Sequence, residues 1–179
     1  DDGKKFIFSI GIIGEKKNFH VLIEAMKNIP DLNLYLCGNA SSKYADKIRN
    51  LIAKHNLEKS VFLPGEISEV EKSWMYKNCE AFVFPSLNEG FGLPVVEAMH
   101  FGKPIVLSKL TSLPEIGGDE AVYLDSFLPE EIATKIGFAI KNNTPENQEL
   151  LKERSSFFSW QKAAEQYLEL YEVILKKTS

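Results

Sequence analysis

Short runs of contiguous apolar residues alternate along the chain with longer stretches in which apolar positions recur every three or four residues. The short runs predict strands and the longer stretches predict helices. Phe6-Ile7-Phe8-Ser9-Ile10 reads as a first buried strand. Gly11, Gly14 and Glu15-Lys16-Lys17-Asn18 lead from it into a helix whose apolar face is Phe19, Leu22, Ile23 and Met26. Residues 32–37 read as a second strand ending at Gly38-Asn39, and Ser41 or Ser42 caps a helix with Ile48, Leu51 and Ile52 inward. Val61-Phe62-Leu63 is a third strand, closed by Pro64-Gly65. Ser68-Glu69-Val70-Glu71 fits a capping box ahead of a helix with Trp74 and Tyr76. Residues 81–84 are a fourth strand ended by Pro85, followed by a helix that stops near Gly102. Ile105-Val106-Leu107 is a fifth strand, Ser112-Leu113-Pro114-Glu115 a helix start stopped at Gly117-Gly118, and residues 121–124 a sixth strand. Helices then follow over residues 130–140, from Pro145, and in a final stretch with Trp160, Ala164, Tyr167, Leu168, Tyr171, Ile174 and Leu175 on one side.

Strand alternates with helix throughout, and the strands are apolar on both faces. That pattern predicts an α/β fold: a Rossmann-like parallel sheet of about six strands with helices on both faces. In such sheets ligands bind beyond the carboxyl ends of the strands, so the loops after strands one to five carry the chemistry. No repeat or low-complexity linker interrupts the pattern, and residues 1–179 read as a single domain.

The most informative of those loops follows the fourth strand. Gly90 and Gly92 let the backbone turn sharply and approach a ligand closely. Pro94 suits the first turn of a helix, where its missing N–H costs little. A helix opening just after such a loop presents unpaired N–H groups and a positive dipole end, which suit a phosphate. Glu89 and Glu97 frame it, although an early-helix glutamate also serves simply to complement the dipole.

Composition adds bounds rather than detail. A formal net charge of −4 argues against a nucleic-acid-binding surface. No apolar run is long enough to span a bilayer, and the start Asp1-Asp2-Gly3-Lys4-Lys5 has no signal-like character. Cys37 and Cys79 lack metal-ligand spacing and are expected to be buried free thiols in a reducing compartment, which together point to a cytoplasmic setting. His20, His55 and His100 are scattered and are expected to be surface or packing residues. On local physics Lys17 reads as a solvated lysine of the Lys16-Lys17 run.

The string Glu89-Gly90-Phe91-Gly92-Leu93-Pro94-Val95-Val96-Glu97-Ala98-Met99 resembles the signature of the retaining glycosyltransferases with two facing Rossmann-like domains (the GT-B type, group 1 or family 4). Their two signature glutamates are separated by seven residues, as here. The resemblance extends from the first strand to the last helix. It implies the C-terminal, donor-binding half of an enzyme that moves a hexose, possible donors being mannosyl or glucosyl nucleotides, onto a saccharide, a lipid-linked glycan or a similar acceptor, as in polysaccharide biosynthesis. Such an enzyme takes a nucleotide sugar as substrate, needs no cofactor and no metal at this site, and works with an N-terminal acceptor domain of the same chain, which could also bring it to a membrane surface.

Residue by residue, the resemblance assigns Lys17 to the diphosphate and Glu89 to the neighbourhood of the transferred sugar, which makes these two the catalytic candidates, Glu97 to the ribose hydroxyls, the backbone N–H groups of Phe91, Gly92 and Leu93 to the sugar and distal phosphate, and Gly90 to the donor site. Gly11 follows strand one as the family's glycine does, and Gly38 and Gly65 lie where members pass the base, though both also read as plain turn glycines. Ile12 stands where the family commonly has an arginine, whose forked phosphate contacts isoleucine cannot supply. That departure supports an alternative, a degenerate module that binds nucleotide sugar or a partner without turnover. An epimerase or phosphorylase on the same two-domain plan is a further alternative, which the glutamate spacing opposes. In the family the terminal helix crosses back to the N-terminal domain, so the Trp160 and Tyr167 face is expected to be exposed here.

Overall fold

The computed structural model of the chain describes residues 3–178, so the expectation for Asp1 and Asp2 lies outside the described residues. Six strands form one sheet: β1 (Phe6–Ile10), β2 (Asn33–Cys37), β3 (Val61–Gly65), β4 (Ala81–Phe84), β5 (Ile105–Ser108) and β6 (Val122–Leu124). Their order is β3-β2-β1-β4-β5-β6, and every neighbouring pair is parallel. The helices are α1 (His20–Ala25), α2 (Lys43–Lys54), α3 (Glu69–Asn78), α4 (Leu93–His100), α5 (Leu113–Gly117), α6 (Pro129–Lys141), α7 (Pro145–Ser156) and α8 (Trp160–Thr178).

Side chains alternate across each strand, and the sheet therefore builds two cores. Ile7, Leu34, Leu36, Val83 and Val106 face α1, α2 and α6, which contribute Leu22, Ile48 and Ile136. Phe6, Phe8, Phe82, Phe84 and Leu107 face the other way, onto Tyr76 of α3, Val95 and Met99 of α4, and Leu113 of α5. Burial on both faces holds for β1, β2, β4 and β5; the edge strands β3 and β6 are only partly covered, because each has a neighbour on one side alone. Strand β6 begins one residue later than its apolar run suggests.

Local signals act largely as their chemistry dictates. Ser42 accepts the Ala45 N–H at the start of α2, and Ser68 and Glu71 form the reciprocal capping box of α3. At α5 the expected cap is not formed: Ser112 directs its hydroxyl to the loop after β4 instead. Helix α8 leaves its apolar side largely uncovered, with Trp160 82%, Tyr167 60% and Tyr171 56% exposed. Among the described residues no helix is long and apolar enough to cross a membrane.

Candidate functional site

Strand order reverses between β1 and β4: the chain leaves β1 toward β2 and leaves β4 toward β5. A crevice opens at such a switch point, at the carboxyl ends of the strands. The loop after β1 makes a short helical turn over Glu15–Lys17 that ends at Asn18, in the left-handed region with φ 57°. This turn folds Lys17 back over the sheet rather than out to solvent. Its side chain is 9% exposed, lies with Nζ 4.4 Å from the centre of the Phe84 ring, and donates to Oε1 of Glu89 at 2.6 Å. The solvated-lysine reading is thus overturned. Two residues 72 positions apart meet at the crevice as a buried ion pair, the Glu89 side chain being 11% exposed. Gly11 makes room for it, since a Cβ there would lie 2.7 Å from Cε of Lys17.

The loop after β4 is held from two sides. Leu87 N–H donates to the Lys16 carbonyl at 2.7 Å, tying it to the loop after β1. From the β5 side, Oγ1 of Thr111 accepts the Glu89 N–H at 3.0 Å, and Oγ of Ser112 donates to the carbonyls of Glu89 at 3.2 Å and Phe91 at 2.8 Å. Gly92 then turns the chain into α4 with φ 106°, a conformation that favours glycine. The backbone N–H groups of Gly90, Phe91, Gly92 and Leu93 find no acceptor among the described residues. They belong to the loop and first residue that lead from Glu89 into the positive end of α4.

One turn into α4, Glu97 is held by α3. Its Oε1 accepts from Lys72 Nζ at 3.0 Å and its Oε2 from the Tyr76 hydroxyl at 2.9 Å. Lys72 also pairs with Glu69 at 2.9 Å. Burial opposes a charge on Lys72, but the hydrogen bonds and charges of Glu69 and Glu97 outweigh it and raise its pKa above the ordinary lysine value. Burial, with the Glu97 charge beside it, pushes the Tyr76 phenol well up, so the phenol donates throughout the neutral range. Glu97 is therefore a pre-oriented carboxylate, and its side chain remains 38% exposed.

Gly11, Gly38 and Gly65 lie side by side at the ends of β1, β2 and β3, through Gly11 N–H to the Cys37 carbonyl at 2.9 Å and Gly38 N–H to the Gly65 carbonyl at 2.7 Å. A Cβ on Gly38 would sit 2.1 Å from the Gly11 carbonyl oxygen, so backbone packing alone requires that glycine. Gly90, by contrast, bends the chain as expected but does so outside the left-handed region and with open space around it, so the turn itself does not demand glycine there. Ile12 is 67% exposed at the crevice rim, and Phe91 and Leu93 are also exposed. Cys37 and Cys79 are buried free thiols, each pushed up to about 12 chiefly by burial. Nδ1 of His20 bonds to the Tyr44 hydroxyl at 3.0 Å, joining the starts of α1 and α2. Among the described residues no cluster of His, Cys, Asp or Glu is arranged to hold a metal ion.

Lys72, Tyr76 and Thr111 are site residues that the sequence does not single out. Thr111 follows the carboxyl end of β5, where the parallel-sheet rule directs attention, but nothing in its residue type marks it. Lys72 and Tyr76 share a face of α3 at i and i+4, which foretells that they reach one neighbour without saying which.

Residues 1–156 match the family model described as Glycosyl transferases group 1. The chain is 35% identical over 126 residues to the serotype-specific mannosyltransferase WbdA of Escherichia coli, a match covering 66% of this chain and 16% of that protein. It is 28% identical over 173 residues to the O-antigen chain mannosyltransferase B of Escherichia coli, covering 92% and 45%. In fold it is similar to a glycosyltransferase from Rickettsia africae ESF-5, with a TM-score of 0.88, 20% identity and coverage of 98% of this chain and 49% of that one. Anabaena Alr3699/HepE, solved in complex with UDP and glucose, gives a TM-score of 0.85 at 22% identity, covering 95% and 48%. The chain thus spans half or less of the length of each of these proteins.

Proposed function

Starting from the fact that the chain belongs to the group 1 glycosyl transferases, with the C-terminal domain fold of the GT-B enzymes, we propose that it is the donor-binding half of a retaining enzyme that transfers a hexose from a nucleotide sugar to an acceptor hydroxyl. The observation that carries this reading is the meeting of Lys17 and Glu89 at 2.6 Å next to the loop whose N–H groups, from Gly90 to Leu93, are free where it runs into α4. A lysine and a helix start converging at a switch point suit a diphosphate. The hexose and the nucleotide are supported by the mannosyltransferases among the relatives and by the UDP and glucose bound to the Anabaena protein.

In this account the diphosphate lies over the start of α4 and takes up Lys17, whose charge offsets that developing on the departing β-phosphate. The sugar lies over Gly90, where a close approach meets no side chain. Glu97, oriented by Tyr76 and Lys72, accepts from the ribose hydroxyls. The base passes Gly38 and Gly65, and no metal takes part. Catalysis is then mainly positioning and charge stabilisation, with the acceptor supplied from a second domain.

A second reading, a nucleotide-sugar-binding module without turnover, is favoured by one observation: Ile12 is exposed in the loop after β1, at the position where the resemblance leads one to expect an arginine. The test is transfer by the protein paired with its acceptor domain, using UDP- and GDP-hexoses and reading the anomeric configuration of the product by NMR. Retained configuration supports the proposal. An inverted product overturns retention, and donor binding without transfer supports the module.

A further inference from the structure

The segment after β5 makes its contacts with the loop after β4 from an unusual backbone. Thr111 holds φ 53°. For a β-branched residue this is a conformational outlier, and such residues persist only where their surroundings over-determine them. The left-handed residue is the same one whose Oγ1 accepts the Glu89 N–H at 3.0 Å. Its neighbour Ser112 gives up the capping of α5 and donates to the Glu89 and Phe91 carbonyls. Leu113 completes the contact, lying so close that a Cβ on Gly92 would be 3.1 Å from its Cδ2.

We infer that Thr111 and Ser112 are positioning residues that fix the backbone of residues 89–92, so that the free N–H groups point into the crevice and the Glu89 side chain is delivered to Lys17. The inference rests on the donor-site reading for its consequence, though not for its geometry. A loop containing Gly90 and Gly92 has much conformational freedom to lose on binding a ligand. Holding three of its peptide groups in advance removes part of that cost before the ligand arrives. Thr111 and Ser112 touch no reacting atom in this account; they act through the loop.

The test compares Thr111→Ser, Thr111→Val and Thr111→Gly, with UDP and GDP as probes in calorimetric titration. Valine keeps the branched shape and the strain but loses the hydroxyl. Glycine relieves the strain and also loses the hydroxyl. Serine keeps the hydroxyl. Affinity should follow the hydroxyl: little change in the serine variant, and a rise in Kd of about tenfold, the scale of one hydrogen bond, in the other two. The glycine variant should lose affinity without losing melting temperature, which a merely structural role would not produce. Unchanged affinity in the valine and glycine variants, or failure of serine to rescue, overturns the inference. A second readout separates this failure from failure of the donor site. In the ligand-free chain, 15N order parameters at Gly90, Phe91 and Gly92 should fall in the valine and glycine variants and hold in the serine variant. If the unsubstituted chain binds neither nucleotide, the donor-site reading falls, and these order parameters alone decide whether the loop is held as stated.

Discussion

Replacing Lys17 by methionine should expose the logic of the crevice most sharply. The substitution keeps most of the apolar stem that lies over Phe84 and beside Gly11, and removes only the charge. What remains is the Glu89 carboxylate, its side chain 11% exposed and deprived of the cation at 2.6 Å. Breaking a buried pair by removing one partner costs about 3–5 kcal/mol, because the other charge is left uncompensated. For a domain of this size each kcal/mol lowers the melting temperature by about 2–4 °C, so a fall on the order of 10 °C is expected. Adding Glu89→Gln removes the stranded charge, and the double variant should recover to within about 2 kcal/mol of the starting chain, the remainder being the cost of the buried amide. Nucleotide binding separates from stability in the same set. UDP should bind the Lys17→Met chain at least about tenfold more weakly while uridine is little affected, since a charge-assisted hydrogen bond contributes about 1.5–3 kcal/mol. The double variant should regain its melting temperature and not its affinity for UDP. Thermal unfolding of the starting chain, Lys17→Met, Glu89→Gln and the double variant, with parallel titrations with UDP and uridine, makes the measurement. Additive stability effects, with coupling under about 0.5 kcal/mol, would refute a functioning buried pair. Equal weakening of UDP and uridine would refute the phosphate role.

The neighbouring features give further expectations. Gly38→Ala should abolish or severely reduce folding, because its Cβ would meet the Gly11 carbonyl at 2.1 Å; Gly65→Ala, with open space but φ 86°, should cost only about 1–2 kcal/mol, and equal effects in denaturant unfolding would contradict the packing account. Glu97→Gln should weaken nucleoside binding several-fold with the fold intact, and Tyr76→Phe should act in the same direction by freeing one oxygen of the carboxylate; a large drop in melting temperature without ligand would instead make Glu97 a structural dipole partner. The thiols of Cys37 and Cys79, raised to about 12, stay protonated in the folded chain while unfolded thiols ionise near 9. Their contribution is therefore fully present below pH 9 and is lost as pH rises through 12. Both should resist a disulfide reagent at pH 8 until denaturant is added, and rapid labelling of the native chain would show that they are not buried as described.

Much of this molecule is written in local pattern. The strands β1, β2, β4 and β5 are contiguous apolar runs because both their faces are buried, and alternation with helical periods then leaves a parallel sheet as the natural arrangement. The Ser68–Glu71 box announces α3 because both hydrogen bonds are made within four residues. Lys17 was legible as a candidate but not as a buried one. Its burial follows from the left-handed turn at Asn18 and from meeting Glu89 72 positions later, and neither is a local property of the Lys16-Lys17 run. Thr111 carries no signal of its role, and Ser112 reads only as a helix start, for a related reason. Their hydroxyls matter through the backbone of another loop, which residue type does not encode. Helix α8 shows the reverse case: its aromatic side is plain in the sequence, and the structure leaves it uncovered, as expected of a face that finds no partner within this sheet.

The claim that the crevice between the β1 and β4 loops is a nucleotide-sugar site is tested most directly by 15N NMR titration of the chain with UDP- and GDP-hexoses. The account predicts saturable binding with a Kd on the order of 0.1–1 mM, corresponding to roughly 4–5.5 kcal/mol. The largest amide shifts should fall at Gly11, Lys17, residues 89–93 and Glu97. Binding with shifts clustered elsewhere, or no binding by a chain whose spectrum shows an intact fold, would contradict it.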